Sequence, residues 1–167
     1  MILKTLDDSH VEWDGKIYRC AVGRTGFTDN KQEGDGATPR GTFRFKTLYY
    51  RPDRLEKPLT ALPLISLQAD DGWCDDPTDP LYNQPVKLPY PARCEQLWRE
   101  DHLYDLMITT DYNQNPTLPG AGSAIFIHVA RLDSQGHYQP TAGCLVLSLN
   151  DLQQITQTAC ADAIWVV

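Results

Sequence analysis

The 167-residue sequence has no CxxC pair, no run of lysine or arginine, and no apolar stretch long enough to cross a bilayer. Each absence removes a class of function. A zinc ribbon needs closely spaced cysteines, and the five present (Cys20, Cys74, Cys94, Cys144, Cys160) are scattered and odd in number, so they cannot all pair. Free thiols fit a reducing compartment, with one or two disulfides left open. A nucleic-acid surface needs clustered cations. Here 15 Lys and Arg face 22 Asp and Glu, a net charge of −7, so no nucleic-acid partner is expected. A membrane-spanning helix takes about 20 apolar residues, whereas the opening, MILKTLDDSHVEWDG, turns polar after Leu3 and does not read as a secretory signal. Internal repeats and low-complexity tracts are also missing. What is present, 41% hydrophobic and 22% charged residues, is ordinary for a globular chain, and the length favours one domain over 1–167.

Twelve prolines and eleven glycines, spread along the chain, favour many turns and short strands over long helices. Asp14-Gly15 between HVEW and KIYRCAVG marks a hairpin. Residues 23–42 are Gly-rich and polar and read as a long loop, and FRFKTLYY (43–50) alternates like a strand. Residues 51–91 hold most of the prolines and read as an irregular excursion. Cys94, Leu97 and Trp98 stand near helical spacing and predict a short helix over 92–100. Strands are expected at 106–112, 124–128 and 144–148, and at the terminal AIWVV. Ser148 and Asp151 form a capping box ahead of a helix lined by Leu152, Ile155 and Ala159. The expected fold is mostly β, a sandwich or rolled sheet carrying a few short helices.

One stretch carries chemistry. In IFIHVARLDSQGHYQPTAGCLVL, His128 ends one expected strand and Cys144 begins the next. An antiparallel pairing would set both on one rim of the sheet; a parallel one would need a crossover that the loop 129–143 does not obviously encode. Loops of that length without structure of their own tend to be functional. Gly143 permits a tight turn that could aim backbone N–H groups above the sulfur. A thiolate is the reactive form of cysteine, and a neighbouring imidazolium favours it, which suggests an acyl-transfer site. Two alternatives stand beside that reading. A cysteine before LVL is by default a core residue, and a metal site of His128, His137 and Cys144 lacks a fourth ligand, so no metal is expected.

The pattern resembles the L,D-transpeptidase catalytic (YkuD) domain, whose signature is a histidine, a spacer, then Ser/Thr-His-Gly-Cys. Here His128 is followed sixteen residues on by Cys144 in TAGC, and GDGATPRGTF (34–43) resembles the family's Thr-Pro-x-Gly-x-Phe segment. WCDDP, YNQPVKLPY, LWREDHLYDLMI and GSAIFIHVARL are similar to one branch of the family, so the likeness runs from about residue 11 to the end. It implies a peptidoglycan L,D-transpeptidase. Cys144 would be the nucleophile on a diaminopimelate carbonyl of a stem peptide. His128 would be the base, its other ring nitrogen held by a carbonyl at or near Val129. The N–H groups of Gly143 and Cys144 would form the oxyanion hole. The chemistry implied needs no cofactor, and carbapenem-type inhibitors would acylate the cysteine. Two departures stand out: Ala142 replaces the usual histidine before Gly-Cys, and LVL follows in place of the usual Arg or Asn.

Further substrate contacts are expected from Thr141 and Ala142, from Arg131 as a cation for a carboxylate, and from Asp75, Asp76 and Asn83 as readers of the amine and carboxylate of diaminopimelate. Asp-Asp-Pro and Tyr-Asn are equally ordinary turn chemistry. Trp98 and Tyr104 read as core residues. Two other functions remain open: a hydrolytic L,D-carboxypeptidase or endopeptidase on the same peptides, and a non-catalytic envelope-binding module. The resemblance places the protein in the periplasm or cell envelope, while the lack of a signal leaves the cytoplasm open.

Overall fold

The computed structural model describes residues 1–167. In chain order the elements are β1 (Ile2–Thr5), β2 (His10–Trp13), β3 (Lys16–Arg19), β4 (Phe27–Thr28), β5 (Thr38–Pro39), β6 (Thr42–Tyr50) and β7 (Leu64–Ser66). Then come β8 (Asp71–Cys74), β9 (Pro85–Lys87), β10 (Cys94–Gln96), β11 (Leu106–Thr110), β12 (Phe126–Val129), β13 (Leu145–Leu147), α1 (Leu149–Thr158) and β14 (Ile164–Val166). The fold is the mostly β, rolled sheet expected, with one helix.

The main sheet has nine strands, in the order β13-β12-β11-β6-β14-β1-β2-β3, with β7 paired to β6. Strand β6 is its spine. It pairs with β14 through Thr42–Arg44 and with β11 through Phe45–Tyr50, and a register shift opposite Ile108 and Thr110 gives β6 an extra residue. Such bulges raise local twist and bend the strand, which curls the sheet. The Asp14-Gly15 hairpin forms, with Trp13 opposite Lys16 and both turn residues at positive φ. A smaller sheet, β10-β8-β9, is built from the proline-rich region.

Two cores lie on opposite faces of the main sheet. The larger gathers Leu3, Val11, Trp13, Leu48, Ile108, Ile127, Leu145 and Leu147 against Leu152 and Ile155 of α1 and Ala159 at its C-cap. Burying one such aliphatic side chain stabilises the fold by about 1.5–3 kcal/mol, so this face holds most of the packing energy. The helix begins as its sequence predicts: Ser148 Oγ accepts the Asp151 N–H at 3.0 Å. The smaller core joins Tyr49, Met107 and Phe126 of the main sheet to Trp73, Leu97 and Tyr104. Trp73 meets Phe126 edge-on with ring centroids 4.9 Å apart.

Three expectations change. Residues 92–100 form no helix; Cys94–Gln96 is the edge strand β10, paired antiparallel to β8. Only Leu97 of the proposed apolar face is buried, and cross-strand hydrogen bonding outweighs a weak helical spacing. The 51–91 excursion is structured, carrying β7, β8, β9 and the buried Leu67 and Trp73. The third concerns β12 and β13, which are parallel.

Candidate active site

The crossover that parallel pairing requires is the 130–143 segment itself. It folds as a hairpin, bridged between Leu132 and Tyr138 and turning at Asp133–Gly136, and Thr141 docks beside Gly23. The chain therefore re-enters next to the start of β12. Ile127 pairs with Leu145 and His128 with Val146, so Cys144 stands level with Phe126. His128 is two residues further along, on the same face. In a sheet such diagonal neighbours have Cα atoms about 7–8 Å apart, within reach of an imidazole. Parallel pairing thus still delivers the histidine and cysteine to one floor.

That floor underlies a cleft of about 670 Å³ lined by both residues. His128 is 5% exposed and Cys144 8%, so each is almost wholly covered where it lines the cleft. The His128 ring is fixed from two sides. Nδ1 lies 3.0 Å from the Val129 carbonyl, which makes Nδ1 the protonated nitrogen and leaves Nε2 its lone pair. Tyr104 abuts the ring edge-on at 5.0 Å, and its hydroxyl donates to Glu95 Oε1 at 2.5 Å. The Cys144 thiol donates to the Ala124 carbonyl at 3.2 Å, and its sulfur accepts the Phe126 N–H at 3.4 Å. The two side chains do not hydrogen-bond to each other here; the sulfur must turn off the Ala124 carbonyl to meet Nε2.

Burial decides the resting charge. It pushes the Cys144 thiol up to about 12, and the Phe126 N–H offsets this only in part. It also lowers His128 to about 4, against the pull of the Val129 carbonyl. A desolvated site disfavours both ions. The pair rests as neutral thiol and neutral imidazole, unlike the preformed ion pair the sequence suggested.

The turn before the cysteine is held by the other motif. Thr38, fully buried, accepts the Gly23 N–H at 2.8 Å and donates to the Gly143 carbonyl at 2.8 Å. Gly143 has φ +149, and a Cβ there would stand 2.8 Å from the Ala37 carbonyl oxygen, so only glycine fits. Thr141 Oγ1 accepts the Gly143 N–H at 3.0 Å and donates to the Cys144 carbonyl at 2.7 Å. The Gly143 N–H is therefore engaged within the turn, whereas the Cys144 N–H has no protein partner. Beneath them Asp35 binds Lys31 Nζ and the Gln32 and Ala37 N–H groups. Burial would raise its pKa, but these donors together hold it below the usual carboxylate range.

A family model, the L,D-transpeptidase catalytic domain (YkuD), matches residues 3–162. The chain belongs to this family. No curated protein and no solved structure gives a match. Membership in the L,D-transpeptidases, cysteine-dependent enzymes that act on peptidoglycan peptides, gives the cleft its chemical setting. No helix of the chain is long and apolar enough to cross a membrane.

In this L,D-transpeptidase domain Cys144, His128, Gly143, Thr141, Ala142, Arg131 and Asp75 all line the cleft. Arg131 is not a free cation, since its Nη2 lies 2.6 Å from Asp101, which Arg99 also grips at 2.6 Å. Asp76 lies outside the lining and holds the Thr78 turn through Oδ1. Asn83 is 2% exposed and fully occupied: Oδ1 accepts from Trp73 Nε1 and the Ala124 N–H, and Nδ2 donates to the Tyr112 and Asn113 carbonyls. Both are structural, as turn chemistry allows. His137 sits on the hairpin against Asp133, away from the cleft. The sequence reading missed Lys31, Glu33, Glu95 and Arg99, which also line it. Glu33 is held by the Tyr82 hydroxyl and by Ser123 Oγ at 2.8 Å. Only the Asp35-centred GDG segment hinted that residues near 31–35 would matter.

Proposed function

We propose that the protein is a peptidoglycan L,D-transpeptidase working through a thioester on Cys144. A stem peptide enters the cleft and displaces the thiol from the Ala124 carbonyl towards His128. Nε2 takes the thiol proton as the sulfur attacks the diaminopimelate carbonyl, so no standing thiolate is needed in a site that disfavours one. The free Cys144 N–H donates to the oxyanion. His128 then returns the proton to the amine of the departing D-amino acid, leaving the thioester. An acceptor amine attacks next; its proton leaves through His128 to the cysteine sulfur as the cross-link forms. Glu33, and Asp75 where Arg93 leaves it exposed to the cleft, suit the ammonium of the substrate, and the Arg99–Arg131 pair, shared with Asp101, its carboxylate. A substrate of this kind lies in the cell envelope, and that is where the proposed reaction would take place.

The observation carrying this reading is the fixed His128 tautomer, with its basic nitrogen on the same cleft floor as Cys144. The test has two parts. A carbapenem should add its mass to the peptide containing Cys144 and to no other cysteine. A purified muropeptide should yield the cross-linked dimer. Shortened monomer alone would assign the protein to hydrolysis, and an unmodified Cys144 with unchanged muropeptide would mark a binding module.

A further inference from the structure

Two cysteines outside the catalytic floor stand face to face. Strands β8 and β10 are antiparallel with Cys74 directly opposite Cys94. The ladder hydrogen bonds fall on pairs an odd number of steps away, Asp75 N–H to the Arg93 carbonyl at 3.2 Å one step off and Leu97 N–H to the Asp71 carbonyl at 3.0 Å three steps off. Cys74 spends its own backbone groups on the other side, on Gln84 and Asn83. The two cysteines therefore occupy a non-hydrogen-bonded position, where opposed Cα atoms are about 4.5 Å apart and side chains lean together. That lies within the span of about 4.4–6.8 Å that a disulfide bridges. Both are free thiols; Cys74 is wholly buried and Cys94 half-buried.

We infer that Cys74 and Cys94 are a disulfide-forming pair that staples β8 to β10. The oxidant is a disulfide, small or protein-borne. The accessible Cys94 sulfur attacks it and releases one thiol; Cys74 then attacks the mixed disulfide and releases the second. Two thiols become one S–S bond, and two electrons and two protons pass to the oxidant. Burial and the neighbouring Cys74 push the Cys94 thiol up to about 11, so exchange is slow and the pair acts as a staple more than a fast sensor. The next residues along, Asp75 and Glu95, line the cleft, so the bridge fastens its acidic wall. The inference uses neither Cys144 nor a substrate and stands apart from the transpeptidase reading.

Reduced full-length protein incubated with oxidised glutathione and digested with trypsin without reductant decides the matter. Trypsin cuts after Lys87 and Arg93, so the two cysteines fall on separate peptides unless joined. The expected result is a Cys74–Cys94 linked peptide, with the intact protein lighter by two hydrogens. Cys74→Ser should instead trap glutathione on Cys94. Closing a loop of this size should raise the Tm of the oxidised form by roughly 6–12 °C over the reduced form. Wild-type protein that accumulates glutathione on Cys94 without closing the bridge, or that joins Cys94 to another cysteine, overturns the inference. The wild-type digest decides even if the variant fails to fold.

Discussion

Strands β12 and β13 show two interiors to alternate residues. Ile127, Leu145 and Leu147 face the helix-backed core and are fully buried. His128 and Cys144, one step out of phase, face the cleft and are nearly as buried. On the first face, removal from water stabilises the fold and nothing titrates. On the second, the same removal holds a thiol and an imidazole uncharged and pre-aimed. Burial is the common cause; the side chain decides whether it yields stability or latent reactivity.

The sharpest break of this comparison is Cys144→Ala. Turnover should fall by roughly 10⁴-fold or more, while stability shifts by under about 1.5 kcal/mol; muropeptide kinetics and urea melts read both. For His128→Gln a loss of about 10²–10⁴ in kcat/KM is expected, along with a change in pH behaviour. His128 titrates near 4 when folded, below its unfolded value of about 6.5. The unfolded chain thus takes up the proton first as pH falls. Stability present above about pH 6.5 is lost towards pH 4, by up to roughly 3 kcal/mol. The wild-type minus His128→Gln difference in denaturant stability should show that slope, and a flat difference would refute the neutral buried imidazole.

On the opposite face, Ile127→Ala should cost about 2–5 kcal/mol in stability yet leave kcat of the folded fraction intact. A matching drop in kcat would mean the two interiors are not separable. Thr38→Val strips partners from the Gly143 carbonyl and the Gly23 N–H, at about 1–3 kcal/mol, and should lower kcat as well because the turn under Cys144 loosens. The smallest effect belongs to Arg131→Ala: with Asp101 already pairing it, KM should rise by less than about tenfold, and an unchanged KM would remove it from substrate binding.

The hairpin at Asp14-Gly15 and the capped helix were legible because each is written in neighbouring residues; the Gly143 N–H, expected in the oxyanion hole, is instead taken by Thr141 within the turn. The direction of β13 was not legible. The crossover depends on a hairpin between Leu132 and Tyr138, and a DSQG turn alone does not say which way the returning strand will run. Residues 92–100 misled because three apolar side chains fit a helical stripe while the backbone met β8, a partner twenty residues away. Asp76 and Asn83 carried side chains that suit a ligand, but a polar group's use depends on whether the fold has already satisfied it. The cleft walls were hidden for another reason. Glu33 meets Glu95 and Arg99 from a distant segment, and no short window along the chain contains all three.

Strand β14 comes last in the chain yet lies in the middle of the main sheet, between β6 and β1. Until Ile164–Val166 are in place, β6 and β1 have no strand between them, and the hairpin end meets the far end of the sheet only through bonds such as those between Ala21 and Val146 and between Val22 and Thr141. A growing chain therefore already carries its cysteine and histidine while the sheet that aims them is still open on one side. Clipping those few residues should open the sheet between β6 and β1 while leaving every residue of the cleft in the chain.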